Sequence, residues 1–394
     1  MSQMENVCIK EISSEAKLVL IIARWIVYNG ELSGVKDLLI QECLEWKKFK
    51  EMLTYHELFS FVYPCLKKYL YFLPNEAGET LEKSYYYCVA HLSYLWEEFK
   101  HIVDAFEGRN IELVPIKGTA FLLDNIYADK SYLRPMCDID LLIRKKSLPL
   151  VKETLKGLGY KKAFGGFKEA YWEDKNYHLS FTREKKKGLA YIVEAHWDLD
   201  YRRKRPILPD LWNRIRRTKV ENREINLLSP EDTLFTIVLN QRHFGKMLCL
   251  KNACDVAMLL NKYNNELDWD YILKEAERGR MRTTLYFLLI QTKLLFNTQI
   301  PSHALSNLKI PQYKKYLIQK FITKNIFVSE LNNRMKNLYL RSHFLMYDDF
   351  WEPVRYILNI PQEQFAKFYE LEPYSKRTNL LYRIRCLYFI YRLF

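Results

Sequence analysis

Asp138-Ile139-Asp140-Leu141-Leu142-Ile143 is the stretch that decides the fold. Successive side chains of a β-strand point to opposite faces, so a strand here projects both acids to one face and the apolar residues Ile139, Leu141 and Ile143 to the other. Two carboxylates on one face of a rigid support are hard oxygen ligands that can reach one divalent cation. Taken alone, the same pair also fits an ordinary acidic surface, so the surrounding sequence has to decide between the two.

A second run with the same alternation follows at Tyr191-Ile192-Val193-Glu194-Ala195-His196-Trp197. Glu194 and His196 share one face of this predicted strand, and apolar residues take the other. If the two strands lie side by side, Glu194 supplies the third acid of a two-metal site. His196 then either orients Glu194 or a substrate group, or forms a purely structural hydrogen bond.

Upstream, Leu113-Val114-Pro115-Ile116-Lys117-Gly118-Thr119 is predicted to be a strand that enters a helix through glycine. Free backbone N–H groups at the start of a helix attract anions, Thr119 can cap the helix and donate to a phosphate, and Lys117 adds a positive charge. The sequence lacks a Walker-type glycine-rich loop. Arg134, four residues before Asp138, either clamps a triphosphate or holds the loop in place.

The periodicity of apolar residues divides the chain into three regions. Apolar residues recur three and four apart from Ser14 to Glu107, with Pro74, Asn75 and Gly78 marking a turn, and helical spacing returns from Ser229 onward. Between them, short strand-like runs alternate with helices. We therefore predict an α+β protein with a helical N-terminal region at 1–108, a mixed α/β domain with a small sheet at 109–228 and a helical C-terminal domain at 229–394.

The predicted elements of the middle region are short. Its helices are expected at about 119–127 and at 147–158, the second ended by Gly159, and its strands at 111–116, 138–143, 177–182, 189–197 and 224–228. In the C-terminal region, Ser229-Pro230-Glu231-Asp232 predicts a helix start, with serine as the cap, proline in the first position and acids near the positive end.

The chain carries a formal net charge of +14, and the stretch from Arg183 to Arg223 holds half of it, with thirteen Lys or Arg against six Asp or Glu. Such a segment fits an anionic partner such as RNA or a solvated surface equally well. The eight cysteines include no Cys-x-x-Cys pair and are expected to be reduced core thiols. Without a signal peptide or an apolar run of membrane-spanning length, the sequence predicts a cytoplasmic protein.

Four motifs in order resemble the uncharacterised nucleotidyltransferase family of the polymerase-β-like superfamily. They are Ile116-Lys117-Gly118-Thr119, Arg134-Pro135-Met136-Cys137-Asp138-Ile139-Asp140-Leu141-Leu142, Leu158-Gly159-Tyr160 and Glu194-Ala195-His196-Trp197. The superfamily pattern is an apolar residue, Gly with Gly or Ser, then Asp-x-Asp and a later third acid. Here Lys117 and Thr119 replace the commoner Gly and Ser, and the gap from Gly118 to Asp138 is long. Family members also carry helical flanking regions, with motifs resembling His243 and Asp255. We interpret these two residues as a polar pair between helices, with a substrate contact as the alternative.

The resemblance implies an enzyme that uses Mg²⁺ or Mn²⁺ to transfer a nucleoside monophosphate from a nucleoside triphosphate to an acceptor. Asp138, Asp140 and Glu194 would hold the metal, and Lys117, Gly118, Thr119 and Arg134 would bind the nucleotide. Two alternatives stay open: a non-catalytic nucleotide-binding or protein-interaction module on the same fold, and an enzyme similar to antibiotic-inactivating nucleotidyltransferases. The acceptor, with RNA as one candidate, and the oligomeric state are not specified by the sequence.

Overall fold

The computed structural model describes most of the 394 residues. The described residues are 12–30, 32, 34–41, 44–163, 173, 176–184, 190–200, 207–242, 248–263, 265–327, 342, 344–372, 374–385 and 387. His243 and the basic run Arg202 to Arg205 lie outside them.

Helices fill the described part of the N-terminal region, as the apolar spacing predicted. They are α1 (Ser14–Tyr28), α2 (Val35–Gln41), α3 (Trp46–Tyr55), α4 (Phe59–Leu66) and the long α5 (Asn75–Glu107), with a 3₁₀ turn at Lys67–Phe72. The Ser13 hydroxyl accepts from the N–H of Ala16 and caps α1. Pro74 precedes α5 as a turn residue should, but the prediction of a turn at Gly78 was wrong, because α5 continues through Gly78.

A five-stranded mixed sheet follows. The strands are β1 (Leu113–Pro115), β2 (Ile139–Ile143), β3 (Lys161–Ala163), β4 (His178–Glu184) and β5 (Ala190–His196). Their order in the sheet is β1-β2-β5-β4-β3. The β2–β5 pair is parallel, whereas β1–β2, β4–β5 and β3–β4 are antiparallel. A separate hairpin, β6 (Arg216–Val220) and β7 (Arg223–Leu227), was predicted only for its second strand, because β6 has the sequence Arg-Arg-Thr-Lys-Val and lacks an apolar alternation.

Two helices of this region bear on the site. Helix α6 (Lys117–Leu123) begins two residues earlier than expected, with Ile116 rather than Thr119 at the N-cap position. Helix α7 (Leu148–Gly157) ends before Gly159, which has a φ of +85° and so takes the left-handed conformation that glycine tolerates.

The C-terminal region is helical in its described part. Its helices are α8 (Pro230–Arg242), α9 (Leu250–Tyr263), α10 (Trp269–Arg278), α11 (Arg282–Phe296), α12 (Ser302–Asn307), α13 (Gln312–Asn325), α14 (Trp351–Leu358), α15 (Gln362–Phe368) and α16 (Lys376–Arg383). The predicted start of α8 is confirmed: the Ser229 hydroxyl accepts from the N–H of Asp232 at 3.1 Å.

Two hydrophobic cores organise the molecule. One joins the N-terminal and C-terminal helices, for example Ile22 of α1 with Leu285 of α11, and includes Phe121 and Tyr127 beside the sheet. The other lies between the second half of α5, helix α7 and the sheet. Four cysteines are buried as expected (Cys65, Cys88, Cys249, Cys254), whereas Cys137 is exposed. Within the described residues, no helix combines the length and apolar character needed to cross a membrane.

Candidate metal and nucleotide site

Strands β2 and β5 lie side by side, which is the arrangement that the sequence alone left unproven. They run parallel, with Asp140 directly opposite Glu194 and Leu142 opposite His196. Because residues opposite each other on adjacent strands point to the same face, the two carboxylates are brought together at the middle of the sheet. Ile139 and Leu141 point into the core on the other face and anchor β2.

Asp140, Glu194 and His196 form a compact ligand set. The His196 Nε2 atom lies 2.8 Å from Asp140 Oδ1 and 3.3 Å from Glu194 Oε2. One potential ligand atom from each residue lies within 4.8 Å of the other two. Among the described residues, this is the one cluster of at least three His, Cys, Asp or Glu side chains that are so close together. Two carboxylate oxygens and an imidazole nitrogen are ligands suited to a divalent cation.

Lys117 reaches the same carboxylates from the first position of α6. Its Nζ lies 2.6 Å from Asp140 Oδ1 and 3.6 Å from Glu194 Oε2. The residue has a φ of +51°, a left-handed conformation that is sterically costly for a side chain with a Cβ atom. The surrounding structure therefore holds Lys117 in this unusual geometry beside the acids.

Strand β4 adds residues that the sequence did not single out. The Ser180 hydroxyl donates to Glu194 Oε1 at 3.2 Å, and His178 Nε2 lies 3.7 Å from the same oxygen. The His178 ring stacks on His196 with 4.9 Å between centroids. His178 and Ser180 are two residues apart on a predicted strand and therefore share one face of it. This spacing was the sequence signal that could have identified them as site residues. Their use depended on β4 pairing with β5, which aligns Ser180 with Glu194.

Asp138 lies immediately before β2 rather than within it, and it is partly buried. It is not a member of the compact ligand set. Burial, together with the nearby Asp140 and Glu194 carboxylates, raises the pKa of Asp138 to about 7. The three acids are therefore close enough to repel one another, and a cation near them lowers that repulsion.

The positive partners decide the protonation of the other two acids. Burial disfavours ionisation of Asp140, but Lys117 and His196 outweigh it and hold its pKa below the usual range. Burial likewise opposes ionisation of Glu194, whose pKa is lowered by His196 and by His178. Burial and Lys117 disfavour the protonated ring of His196, yet its hydrogen bonds to Asp140 and Glu194 raise its pKa. The site thus combines two carboxylates whose ionisation is favoured, Asp140 and Glu194, with the Lys117 ammonium.

Gly118 and Thr119 lie in the first turn of α6. A Cβ atom on Gly118 would be 2.9 Å from both Arg134 Nη1 and Met136 Cβ, so this position has room only for glycine. Thr119 is buried, and its hydroxyl has no hydrogen-bond partner among the described residues. A buried, unpaired hydroxyl is unusual, since such groups are normally satisfied.

Arg134 is turned toward the C-terminal helices. Its Nε and Nη2 atoms each donate to a different oxygen of Asp255 on α9, both at 2.8 Å. Tyr127 donates to Asp255 Oδ1 at 2.7 Å, and the guanidinium lies 4.9 Å from the centre of the Phe121 ring. Of the two roles considered for Arg134, the described contacts are those of a residue that holds its loop. Asp255 is likewise engaged in a buried polar pair.

The basic segment is largely neutralised in its described part. Every arginine of the segment that the structure describes forms an ion pair with an acid. The pairs are Arg183–Glu98, Arg214–Glu231, Arg216–Asp124, Arg217–Glu224 and Arg223–Asp104. Arg183 and Arg223 attach the sheet and the hairpin to α5, whereas Arg217 pairs with Glu224 within the hairpin. The charge count therefore overstates what these arginines leave for an anionic partner.

Comparison with known proteins identifies a family for the chain. No curated protein and no solved structure matches the chain. A family described as "Uncharacterised nucleotidyltransferase" matches residues 42–297, a range that contains α5, the sheet with its acids, and helices α8 to α11. Since the match covers more than half of the sequence, the chain belongs to this uncharacterised nucleotidyltransferase family.

Proposed function

We propose that the protein is a metal-dependent nucleotidyltransferase of the polymerase-β-like type, which transfers a nucleoside monophosphate from a nucleoside triphosphate to an acceptor. The observation that carries the proposal is the pairing of Asp140 with Glu194 across parallel strands, with His196 completing a set of convergent ligands. Membership of a nucleotidyltransferase family supports a triphosphate as the substrate.

The residues fit a divalent cation, Mg²⁺ or Mn²⁺. Their donor set contains two carboxylates whose pKa values are held low, and Asp138 stands one residue before the strand as a further carboxylate. When bound, such an ion neutralises charge on the phosphates and polarises the reacting oxygens. Asp138, Asp140 and Glu194 are the residues that would hold it.

The remaining residues serve the two substrates. An acceptor oxygen attacks the α-phosphorus of the triphosphate, the bond to the bridging oxygen breaks, and pyrophosphate leaves. Glu194 has the most exposed side chain of the ligand set, at 19%, and helps to activate the acceptor by taking its proton. Lys117 brings positive charge to the triphosphate, and Gly118 lets the backbone approach the phosphates closely. The Thr119 hydroxyl, which has no partner among the described residues, is available as a donor to a phosphate. Arg134 supports this group by fixing the loop that carries Asp138.

The acceptor is proposed to be RNA or another anionic molecule, in a cytoplasmic setting. Net charge supports an anionic partner, but the ion pairs of the described arginines reduce that support. Phosphate contacts to free basic residues would make affinity fall steeply as salt rises. A flat salt response would instead favour a protein or small-molecule acceptor.

Labelling identifies both activity and acceptor. The purified protein is incubated with Mg²⁺ or Mn²⁺, each α-labelled nucleoside triphosphate, and a pool of total RNA and cell extract. We expect one class of molecule to become labelled, and the Asp138→Ala/Asp140→Ala variant to lose this labelling. Full labelling by that variant would refute the assignment of the acids.

A matched control is Glu76→Ala/Glu79→Ala, which removes two exposed acids from the first turns of α5 and changes the net charge equally. It should label like the parent protein. If the parent is stabilised against heating by triphosphate with metal but labels nothing in any pool, the non-catalytic nucleotide-binding module becomes the better description.

A further inference from the structure

The Lys117 ammonium and the His196 ring converge on the same two oxygen atoms. Asp140 Oδ1 is 2.6 Å from Lys117 Nζ and 2.8 Å from His196 Nε2, and Glu194 Oε2 is 3.6 Å and 3.3 Å from the same two nitrogens. These oxygens belong to the two carboxylates of the compact ligand set. A lysine side chain therefore already presents a positive charge to the atoms proposed to bind metal.

We propose that Lys117 is an internal competitor for the metal: its ammonium holds the cation position between Asp140 and Glu194, and a divalent ion binds by displacing it. This inference rests on the proposed metal-dependent function. An ion bound to Asp140 Oδ1 at about 2.1 Å would lie within about 5 Å of the ammonium if Lys117 kept its present contact. Two cations so close, among buried groups, repel strongly, so both do not occupy the site in this arrangement.

Lys117 is built to move away. Its side chain is 24% exposed, whereas those of Asp140 and His196 are at most 3% exposed, so the lysine has a path to solvent that the other two lack. Its ammonium sits on a flexible four-carbon stem with three freely rotating donors. His196 is different, because its ring is buried and stacked on His178, and it stays in place.

Displacement gives the same side chain a second role. An ammonium released from the carboxylates remains within a side-chain length of the metal, where the anionic phosphates of a metal-bound triphosphate lie. Lys117 then moves from neutralising the acids to neutralising the substrate. The backbone of Lys117, with its unusual φ of +51°, is the fixed point from which the side chain moves between the acids and the phosphates.

Direct measurement of Mn²⁺ binding tests the exchange without using activity. Free Mn²⁺ is titrated by its electron paramagnetic resonance signal against the parent protein, Lys117→Met and Lys117→Arg. We expect Lys117→Met to bind Mn²⁺ at least about tenfold more tightly, since it removes the competing charge, and Lys117→Arg to remain as weak as the parent. Lys117→Gln serves in place of Lys117→Met if the latter does not fold.

Two controls locate the effect. Lys156→Met removes an exposed lysine from α7 in the same region and should leave the affinity unchanged, which excludes a general charge effect. Asp140→Asn added to Lys117→Met should abolish the tight binding, which places the ion at these acids. Equal or weaker Mn²⁺ binding by Lys117→Met, with clear binding by the parent, overturns the inference but leaves the metal site. Absence of Mn²⁺ binding in both proteins overturns the inference and the proposed metal site together.

Discussion

Replacing Asp255 by asparagine removes the negative charge from a buried cluster that fixes the segment ahead of Asp138. Asp255 accepts two hydrogen bonds from Arg134 and one from Tyr127, at 2.7 to 2.8 Å. Arg134 is 8% exposed and Asp255 2%. An asparagine in this place keeps the shape, but its NH₂ group faces a donor of the guanidinium, and the arginine charge loses its partner.

The size of the effect follows from this burial. Breaking a buried ion pair by removing one partner costs about 3–5 kcal/mol, because the remaining charge is left uncompensated. Tyr127→Phe removes only one hydrogen bond to the carboxylate and should cost about 1.5–3 kcal/mol. We therefore expect Asp255→Asn to lower the free energy of unfolding by about 4 kcal/mol and Tyr127→Phe by less.

Urea denaturation followed by circular dichroism measures these differences, with Asp129→Asn as the matched control. Asp129 is exposed and lies close in sequence to the cluster, so its neutral variant should stay within about 0.5 kcal/mol of the parent. The double variant Arg134→Met/Asp255→Leu replaces the pair by apolar side chains and should recover much of the loss. A cost below about 1 kcal/mol for Asp255→Asn would refute the view that this pair anchors the loop.

Two further predictions concern a glycine and a histidine. Gly118→Ala should lower the free energy of unfolding by about 1–3 kcal/mol, because the new Cβ atom would overlap Arg134 Nη1 and Met136, and thermal denaturation measures this cost. Burial lowers the pKa of His56 to about 3, and its Nδ1 accepts from the N–H of Leu250. Its folded-state pKa lies below the unfolded value near 6.5, so the stability it confers is complete above pH 6.5 and is lost as the pH falls toward 3. His56→Leu should reduce the slope of stability against pH in this window by about 1.4 kcal/mol per unit, and an unchanged slope would contradict the assignment.

Local patterns predicted the parts of the fold that depend on local physics. The alternation of apolar residues located β2 and β5, and the Ser-Pro-Glu-Asp sequence located the start of α8. Strand β3 has a short charged sequence, Lys-Lys-Ala, whose strand conformation depends on pairing with β4 rather than on its own periodicity. Hydrogen bonding to β4, rather than the sequence of β3 itself, therefore makes this segment a strand.

The site was predictable in its acids but not in their partners. Asp140 and Glu194 could be named from alternation, yet their contact required β2 to pair with β5 instead of another strand. Lys117 was predicted to bind the phosphates of the nucleotide. Its ion pair with Asp140 is made from a left-handed backbone conformation, which a lysine in the sequence does not indicate. The partner of Arg134 lies 121 residues away, on a helix of another region.

The segment between Gly118 and Asp138 is positioned by a C-terminal helix. This segment is held against α9 at two places: Asp124 receives Tyr263 and Lys262, and Arg134 and Tyr127 hold Asp255. Lys117 precedes the segment and Asp138 follows it, so both sides of the proposed metal site are positioned through contacts with a C-terminal helix. The buried Tyr127 ring also stacks near Phe61 of α4 and belongs to the core shared by the terminal helices. The sheet therefore carries the acids, but contacts with α9 determine how Lys117 and Asp138 are placed beside them. Altering α9 should change metal binding without touching a ligand.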